Sequence, residues 1–444
     1  MQQVNRELLD FLDRSPVSFF AVRNMADELE KAGAERLREG DRWELIPGHS
    51  YYVTRNGSAL IAFRIPEGGF NGFQMMASHC DSPAFRIKTN AEIEVSKKYV
   101  KLNVEKYGGM LCQPWFDRPL SVAGRIVVRT KDGIETRLLC IDRDLLIIPN
   151  LAIHFNREAN DGYKINPQKD MLPLFSCVDG DVQGSFLRLI AEEAGVEPED
   201  ILDTELSLYN RMKGTTFGLH GEFIASGRLD DLQCAYASLR GFLAAAPGHS
   251  AAVHCVYDNE EVGSGTKQGA KSTFLSDVLH RIMAACGKTE EDYLRALQSS
   301  FLVSADNAHS VHPNHVDTAD PTNRPYMNEG IVIKYSASQK YTTDAVSGAI
   351  FREICRAADV PVQTFHNRSD LPGGSTLGNL SAAQVAVNTV DIGLPQLSMH
   401  SSYETAGARD TAYLIEAARV LFSSSIEGSG DGDYRIQLPE GQMS

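Results

Sequence analysis

The chain has few cysteines, and they are not grouped. Only eight Cys occur in 444 residues, and even the two nearest to each other, Cys234 and Cys255, are far apart in sequence. This spacing excludes a CxxC zinc knuckle and a disulfide framework. Scattered cysteines are typical of proteins from a reducing compartment, so we expect a cytoplasmic protein.

Long apolar runs are also missing. No segment approaches the roughly 18 consecutive apolar residues of a membrane-spanning helix. The opening segment, MQQVNRELLDFLDRS, alternates charged with apolar side chains and has no apolar signal-peptide core. We therefore expect no membrane partner and no secretion signal.

Basic residues are outnumbered by acidic ones. Lys and Arg total 43 against 58 Asp and Glu, which gives a formal charge of −15. Nucleic acids and anionic membranes are bound through clustered Lys and Arg, so we expect no nucleic-acid partner. The remaining composition, with 43% hydrophobic and 23% charged residues, is that of a globular protein. The length favours two domains.

The two ends of the chain show patterns of an α/β domain. Near the amino terminus, two helical patterns precede a hairpin whose turn is Asn56-Gly57, and an apolar strand over 73–78 leads into His79. From residue 230 onward, helical patterns alternate with apolar strands. The predicted helices are 230–246, 266–285, 343–358 and 405–424, and the predicted strands are 252–257, 301–304, 330–335, 362–365 and 385–390. Such alternation predicts crossover units and a mostly parallel central sheet.

The middle of the chain has a different sequence pattern from the two ends. Between residues 86 and 220 the strand patterns are short and irregularly spaced, and one pair flanks the turn Lys131-Asp132-Gly133. We interpret 86–220 as a β-rich module inserted into an α/β domain made of 1–85 and 221–444.

Chemically active residues gather where predicted strands end, which is where open α/β sheets place their sites. Five positions share this feature: His79-x-Asp81, Asp230 in GRLDD, Glu260-Glu261 in YDNEEVGS, Asp306 in SADNAH and His400 in SMHSSYE. Taken singly, each has an ordinary structural explanation, such as a helix cap for Asp230 or Asp231. Taken together, two imidazoles and three carboxylates suffice for two zinc ions that share one bridging carboxylate.

Two of these positions carry extra information. Adjacent carboxylates at Glu260 and Glu261 repel each other directly after an apolar strand, and a cation beside them removes the conflict. Because neighbouring side chains diverge, one can ligate a metal while the other reaches a bound water. His79 and Asp81 point the same way on an extended chain, so the carboxylate can orient the imidazole.

In this order the motifs resemble those of the M18 family of metallo-aminopeptidases, the aspartyl aminopeptidases, over nearly the whole chain. The matching stretches are ASHCDSP (77–83), SGRLDDL (226–232), DNEEVGS (258–264), SADNAHSVHPN (304–314), NEGIVIKY (328–335), GGSTLG (373–378) and MHSSYETAG (399–407). The resemblance implies a dinuclear-zinc catalytic domain interrupted by a β-rich dimerisation domain. It also implies homodimers that assemble into a tetrahedral dodecamer.

The resemblance assigns roles to the clustered residues. Asp230 corresponds to the bridging ligand, His79 and Asp306 complete one metal site, and Glu261 and His400 complete the other. Glu260 corresponds to the general base, and Asp81 to the carboxylate that orients His79. The expected cofactor is two Zn²⁺ per subunit, with Co²⁺ or Mn²⁺ as substitutes.

Further residues correspond to the family's substrate contacts. His309, Lys334 and Tyr341 match the pocket for the first substrate residue. His154, in NLAIHFNRE, matches a dimerisation-domain histidine that reaches a neighbouring subunit's active site. Some descriptions of the motif count that histidine as a metal residue, but five ligands already fill the pair, so we expect a substrate role. Asp231 departs from the family, whose members often carry Asn there.

The expected activity is therefore removal of the first residue from peptides with a free amino terminus, preferring Asp or Glu because of Lys334 and His309. Three alternatives stay open at this point. The chain could prefer neutral first residues such as Leu. It could be a dinuclear-zinc carboxypeptidase or amide deacylase of similar fold. It could also be a scaffold that retains the fold without catalysis.

Overall fold

The computed structural model describes residues 1–178, 182–371 and 373–439. Within these ranges, no helix combines the length and the apolar character needed to cross a membrane. The α-helices, in chain order, are α1 (Gln2–Asp13), α2 (Ser18–Lys31), α3 (Pro167–Asp170), α4 (Ser185–Ala194), α5 (Leu229–Ala244), α6 (Phe274–Ala285), α7 (Glu290–Gln298), α8 (Ala345–Ala357), α9 (Leu377–Ala382) and α10 (Asp410–Ser423).

The strands alternate with these helices at both ends of the chain and cluster in its middle. They are β1 (Glu35–Leu37), β2 (Ser50–Arg55), β3 (Ala59–Arg64), β4 (Phe73–His79), β5 (Ala84–Val95), β6 (Tyr99–Tyr107), β7 (Leu120–Thr130), β8 (Gly133–Cys140), β9 (Leu174–Cys177), β10 (Ile201–Asn210), β11 (Thr215–Phe217), β12 (Phe223–Ser226), β13 (Ala251–Tyr257), β14 (Phe301–Ala305), β15 (Ala308–His309), β16 (Ile331–Tyr335), β17 (Val362–His366), β18 (Asn388–Gly393), β19 (Pro395–Leu397), β20 (Glu404–Gly407), β21 (Ser425–Gly428) and β22 (Tyr434–Gln437).

Nine strands form the central sheet, in the order β1-β2-β3-β13-β4-β14-β18-β16-β17. Its middle, from β13 to β18, is parallel, whereas β2-β3, β3-β13 and β18-β16 pair antiparallel. Every residue of β4, β13 and β14 is buried. Strands covered on both faces are mostly apolar over their whole length, which is why the sequence predicts these three strands.

Helices cover both faces of this sheet, and each face has its own apolar core. One core contains side chains of α5, α8 and α10 together with α1 and α2, and includes Phe242, Phe351 and Phe422. The other contains side chains of α6, α7 and α9, and includes Phe274 and Leu377. The sheet therefore lies between two helical layers, as the alternating pattern predicted.

The middle of the chain forms a second sheet of six strands, β8-β7-β10-β5-β6-β9, whose pairs are all antiparallel. It has an apolar core of its own that includes Phe85, Trp115, Ile126 and Leu208. The predicted fold class is confirmed: an α/β architecture with a central, mostly parallel sheet and an antiparallel β-sheet insert.

Several predicted bounds were wrong. The helix expected over 266–285 begins only at Phe274, after a turn segment in which Gly269 approaches the Ser264 carbonyl too closely for any Cβ. The helix expected over 405–424 begins at Asp410, because Glu404–Gly407 pairs with β12 and β19 in a third sheet. The strand expected over 385–390 lies at Asn388–Gly393. At the start of α10, strand pairing with distant segments overrides the local pattern.

Candidate metal centre

Three of the sequence-predicted site segments lie at the carboxyl ends of neighbouring central strands. His79 is the last residue of β4, Glu260 and Glu261 follow β13, and Asp306 follows β14 directly. Because β13, β4 and β14 are adjacent and parallel, these side chains meet at one edge of the sheet. This is the position at which open α/β sheets bind their ligands.

The other two predicted ligands reach the same edge from outside the sheet. Asp230 lies at the start of α5, where its backbone is not yet helical (φ −80°, ψ 110°), and the Asp230–Asp231 peptide bond is cis. His400 lies between β19 and β20 with a φ of +66°, in the left-handed region. The structure thus brings all five predicted ligands together.

The Asp230 carboxylate lies between the two imidazoles. Its Oδ1 is 3.4 Å from His79 Nε2, and its Oδ2 is 3.3 Å from His400 Nε2. Asp306 Oδ1 lies 3.8 Å from His79 Nε2, and Glu261 Oε2 lies 3.3 Å from His400 Nε2. Each imidazole therefore faces one oxygen of Asp230 and one further carboxylate, which is the arrangement of two sites sharing a ligand.

The surroundings of His79 favour positive charge at its Nε2. His79 Nδ1 lies 3.0 Å from the Asp81 carbonyl oxygen, so we assign a proton to Nδ1. Nε2 faces the carboxylates of Asp230 and Asp306, which stabilise either a second proton on the ring or a metal ion bound in its place. Burial lowers the pKa of His79, but the interactions with these carboxylates raise it well above its usual range.

Three of the carboxylate oxygens here are buried and have no hydrogen-bond partner among the described residues, namely Asp230 Oδ1, Asp231 Oδ1 and Glu261 Oε1. Burial also raises the pKa of Glu261 well above its usual range, with the nearby Asp230 charge adding to the effect. Unpaired buried carboxylates are costly, and a divalent cation compensates them. The His and carboxylate donors are of the kind that Zn²⁺ prefers, so the residues fit a zinc pair.

Asp81 fixes the geometry behind His79. Its Oδ1 accepts the Glu260 N–H and its Oδ2 accepts the Glu261 N–H, both at 3.1 Å. Tyr107 Oη donates to the same Oδ2 at 2.6 Å. Burial raises the pKa of Asp81, but its hydrogen bonds with His79 and Tyr107 outweigh this and hold the pKa below its ordinary value. Asp81 therefore orients the imidazole mainly through its main-chain carbonyl, with its carboxylate Oδ1 3.4 Å from the same Nδ1, and its carboxylate holds the turn that carries both glutamates.

Glu260 lies beside the predicted ligands. One of its carboxylate oxygens lies within 4.8 Å of ligand atoms of both His79 and Glu261. Burial raises the pKa of Glu260 to about 7. The side chain lines a cavity of about 340 Å³ that opens onto Asp230, Glu261, Asp306 and His400. A group with this access can exchange a proton with a water molecule held at the metals.

The residues predicted to bind the first substrate residue line this same cavity. Lys334 Nζ donates to the Asn307 carbonyl at 2.9 Å, and lies 3.9 Å from Asp306 Oδ2 and 5.6 Å from the Tyr341 ring centroid. His309 is exposed, whereas Tyr341 is buried. The ammonium of Lys334 is thus shared with a predicted metal ligand and is not directed solely at the cavity.

His154 lies apart from the cluster. It is exposed, in the segment between β8 and β9, and does not line the cavity beside the predicted ligands. Large exposed apolar side chains flank it, with Leu151 58%, Ile153 46% and Phe155 81% exposed. The described residues of one chain therefore build the site without His154.

Two residues of the site were not found from the sequence. Tyr107, at the end of β6, comes from the β insert, and no sequence pattern predicts where that insert packs. Glu404 accepts the backbone N–H groups of Asp230 and His400. The sequence shows this glutamate four residues after His400, but a glutamate next to a helical pattern normally indicates a solvent-exposed helix face. Asp231, where members of the family often carry Asn, accepts the His79 N–H at 3.1 Å through Oδ2.

Replacing Tyr107 with Phe removes the 2.6 Å hydrogen bond to Asp81. Tyr107 acts on His79 only through Asp81, so we expect zinc affinity to fall by roughly tenfold, the lower end of the cost of losing an outer partner of a metal ligand. Zinc titration against a chromophoric competitor measures this. Tyr209→Phe is the matched control, because Tyr209 is also buried in the insert but donates to the Ile141 carbonyl. Equal affinities of the two variants would contradict the assignment.

Comparison with known proteins gives a consistent result. The family model described as aminopeptidase I zinc metalloprotease (M18) matches residues 11–422. The probable M18 family aminopeptidase 2 of Clostridium acetobutylicum is 47% identical over 424 residues, which cover 94% of this chain and 98% of that protein.

Solved structures share the fold. In the cryo-EM structure of the Ape4 and Nbr1 complex, the matching chain has a TM-score of 0.92 and 36% identity, covering 95% of this chain and 86% of that one. In the structure of the S. cerevisiae mApe1 dodecamer, the matching chain has a TM-score of 0.83 and 26% identity. The match covers 94% of this chain and 96% of that one.

Proposed function

Because this chain belongs to the M18 family of zinc metallo-aminopeptidases, we propose that it removes Asp and Glu from the amino termini of peptides with a pair of zinc ions. One observation carries the zinc pair: Asp230 directs one carboxylate oxygen at each of two imidazoles. His79 and Asp306 would hold one metal, and Glu261 and His400 the other.

When bound, the two metals would supply Lewis acidity, which would lower the pKa of a bound water and stabilise negative charge on the scissile carbonyl oxygen. The chain's own residues move the protons. Glu260 takes one proton from the attacking water and returns it to the leaving amine. Asp81 keeps His79 oriented and holds the main chain of Glu260 through its N–H, so the base stays in place between steps.

The acidic preference is supported by the ammonium of Lys334 at the cavity. Lys334, which is 4% exposed, lines the cavity beside the ring of Tyr341. His309 also lines it, as a hydrogen-bonding group, since desolvation and the Lys334 charge lower the pKa of its imidazole. A substrate carboxylate entering this pocket would meet positive charge in a partly dehydrated environment, where such attraction is strengthened. Asp306 competes for the same ammonium, so we expect a preference for acidic residues and not an absolute requirement.

We expect Lys334→Ala to reduce the ratio of aspartyl to leucyl hydrolysis by about tenfold or more, because it removes the buried cation of the pocket. A panel of aspartyl, glutamyl, leucyl and N-acylated chromogenic substrates, assayed with zinc, cobalt and manganese, measures the ratio. Lys340→Ala is the control, since Lys340 is exposed and donates to the Gly373 carbonyl.

The same panel separates the alternatives. A wild-type preference for leucyl substrates would favour a neutral-residue aminopeptidase, and hydrolysis of only the acylated substrates would favour a deacylase. No hydrolysis with any metal would leave the scaffold interpretation. An unchanged ratio in Lys334→Ala would show that another group reads the substrate's first residue.

We further propose that residues 86–220 form a dimerisation domain, and that homodimers build a dodecamer like that of the S. cerevisiae relative. The exposed Leu151, Ile153 and Phe155 around His154 support this, because contiguous exposed apolar side chains mark interaction surfaces. His154 would then contact substrate in a neighbouring subunit. All eight cysteines are free, which supports a reducing, cytoplasmic compartment.

A further inference from the structure

Glu404 is a buried carboxylate that the proposed chemistry does not use. It is the first residue of β20 and is 2% exposed. Its Oε2 accepts the Asp230 N–H at 3.1 Å, and its Oε1 accepts the His400 N–H at 2.8 Å. One side chain therefore binds the main chain of two predicted metal ligands that lie far apart in sequence.

We propose that Glu404 is a positioning residue that sets the spacing of the two metal sites by holding Asp230 and His400 at a fixed separation. The inference rests on the proposed zinc pair. Glu404 need not touch either metal, because it acts on the main chain of the ligands.

These two ligands need such a restraint more than the others do. His79 is the last residue of β4 and Asp306 directly follows β14, so the central sheet positions both. Asp230 and His400 lie outside that sheet. Asp230 comes two residues after Arg228, which has a φ of +64°, and His400 itself has a φ of +66°. Non-glycine residues persist in the left-handed region only where neighbouring groups hold them there.

The position of Glu404 suits this role. β20 pairs antiparallel with β12, and Glu404 lies opposite Ser226, the residue from which the chain leaves toward Asp230. The Leu111 N–H also binds the His400 carbonyl at 3.1 Å, so the His400 main chain is held from both sides. A carboxylate offers acceptors at two oxygens, whereas an amide offers one oxygen and a donor group. Glutamine at 404 would direct its NH₂ at one of the two backbone N–H groups.

The test compares Glu404→Gln with Asp410→Asn. Asp410 is likewise fully buried and accepts two backbone N–H groups, those of Asn328 at 2.7 Å and Gly330 at 3.2 Å, but it holds no predicted metal ligand. Full-length wild type and both variants are stripped with a chelator and titrated with zinc against a chromophoric competitor. Thermal unfolding of the metal-free forms is recorded alongside.

We expect Glu404→Gln to bind at least one of the two zinc ions 10- to 100-fold more weakly, the usual cost of disturbing the support of metal ligands. Asp410→Asn should bind zinc like wild type, even if both variants unfold at similarly lowered temperatures. If Glu404→Gln does not fold, Glu404→Asp is tested in its place. This variant keeps both acceptor oxygens on a shorter side chain, so we expect it to weaken zinc binding to an intermediate degree.

Wild-type zinc affinity in Glu404→Gln, or in Glu404→Asp where that variant decides, would overturn the inference. So would an equal loss in Asp410→Asn, because the effect would then be one of general stability. If wild type itself binds no zinc pair, the proposed function fails and this inference fails with it. If wild type binds two zinc ions and Glu404→Gln does too, with equal affinity, only the role of Glu404 is lost.

Discussion

Replacing Glu260 with Gln is expected to lower kcat about a thousandfold while zinc binding is retained. Glutamine keeps the size of the side chain but cannot take a proton from water, and loss of a general base costs about 10²–10⁴ in rate. The Glu260 main chain should stay in place, because Asp81 holds it through the backbone N–H and not through the side chain. Turnover of the best substrate in the panel, together with zinc content per subunit, measures both effects.

Glu261→Gln is the informative comparison. The two glutamates are adjacent and share the anchor on Asp81, but only the Glu261 carboxylate faces His400, at 3.3 Å. Glu261→Gln should therefore lose zinc as well as activity. Substantial turnover by Glu260→Gln, or loss of zinc from it, would show that the base and ligand roles are not divided between the two as we propose.

The parts of the fold that could be predicted are those in which a local pattern and a tertiary environment agree. β4, β13 and β14 are covered on both faces, so their sequences are mostly apolar, without an alternating polar face, and this pattern predicts them as strands. The start of α10 could not be predicted, because Glu404–Gly407 has the composition of a first helical turn but pairs with two other strands. Strand pairing with residues distant in sequence determines that 404–407 is a strand and not the first turn of the helix.

The same distinction applies to the metal centre. His79 ends an apolar strand, and Glu261 and Asp306 follow two others. Parallel neighbouring strands bring their carboxyl ends to one edge of the sheet, so the assembly of these residues follows from the predicted topology. Tyr107 contacts Asp81 because the β insert packs against the central sheet. No sequence pattern within 99–107 predicts this packing. The engagement of Lys334 by Asp306 and Asn307 was also hidden, since the sequence shows a charge but not what it faces.

Replacing Asp230 with Asn is expected to reduce zinc binding to less than one ion per subunit and to abolish measurable turnover. Asp230 faces both imidazoles, with Oδ1 3.4 Å from His79 Nε2 and Oδ2 3.3 Å from His400 Nε2. Asparagine offers one acceptor oxygen and no charge, so neither site keeps its ligand set. Because a ligand that binds only the folded state stabilises it, zinc should raise the unfolding temperature of wild type much more than that of the variant.

Asp231→Asn is the matched control, since it makes the same chemical change at the adjacent buried residue. Asp231 Oδ2 accepts the His79 N–H at 3.1 Å, a role that an amide oxygen can fill. We therefore expect this variant to keep both zinc ions. The control is a demanding one, because ligand atoms of His79, Asp231 and Asp306 also lie within 4.8 Å of one another. If Asp231→Asn lost zinc and Asp230→Asn did not, Asp231 and not Asp230 would be a metal ligand, and the bridge between the two sites would have to be assigned anew.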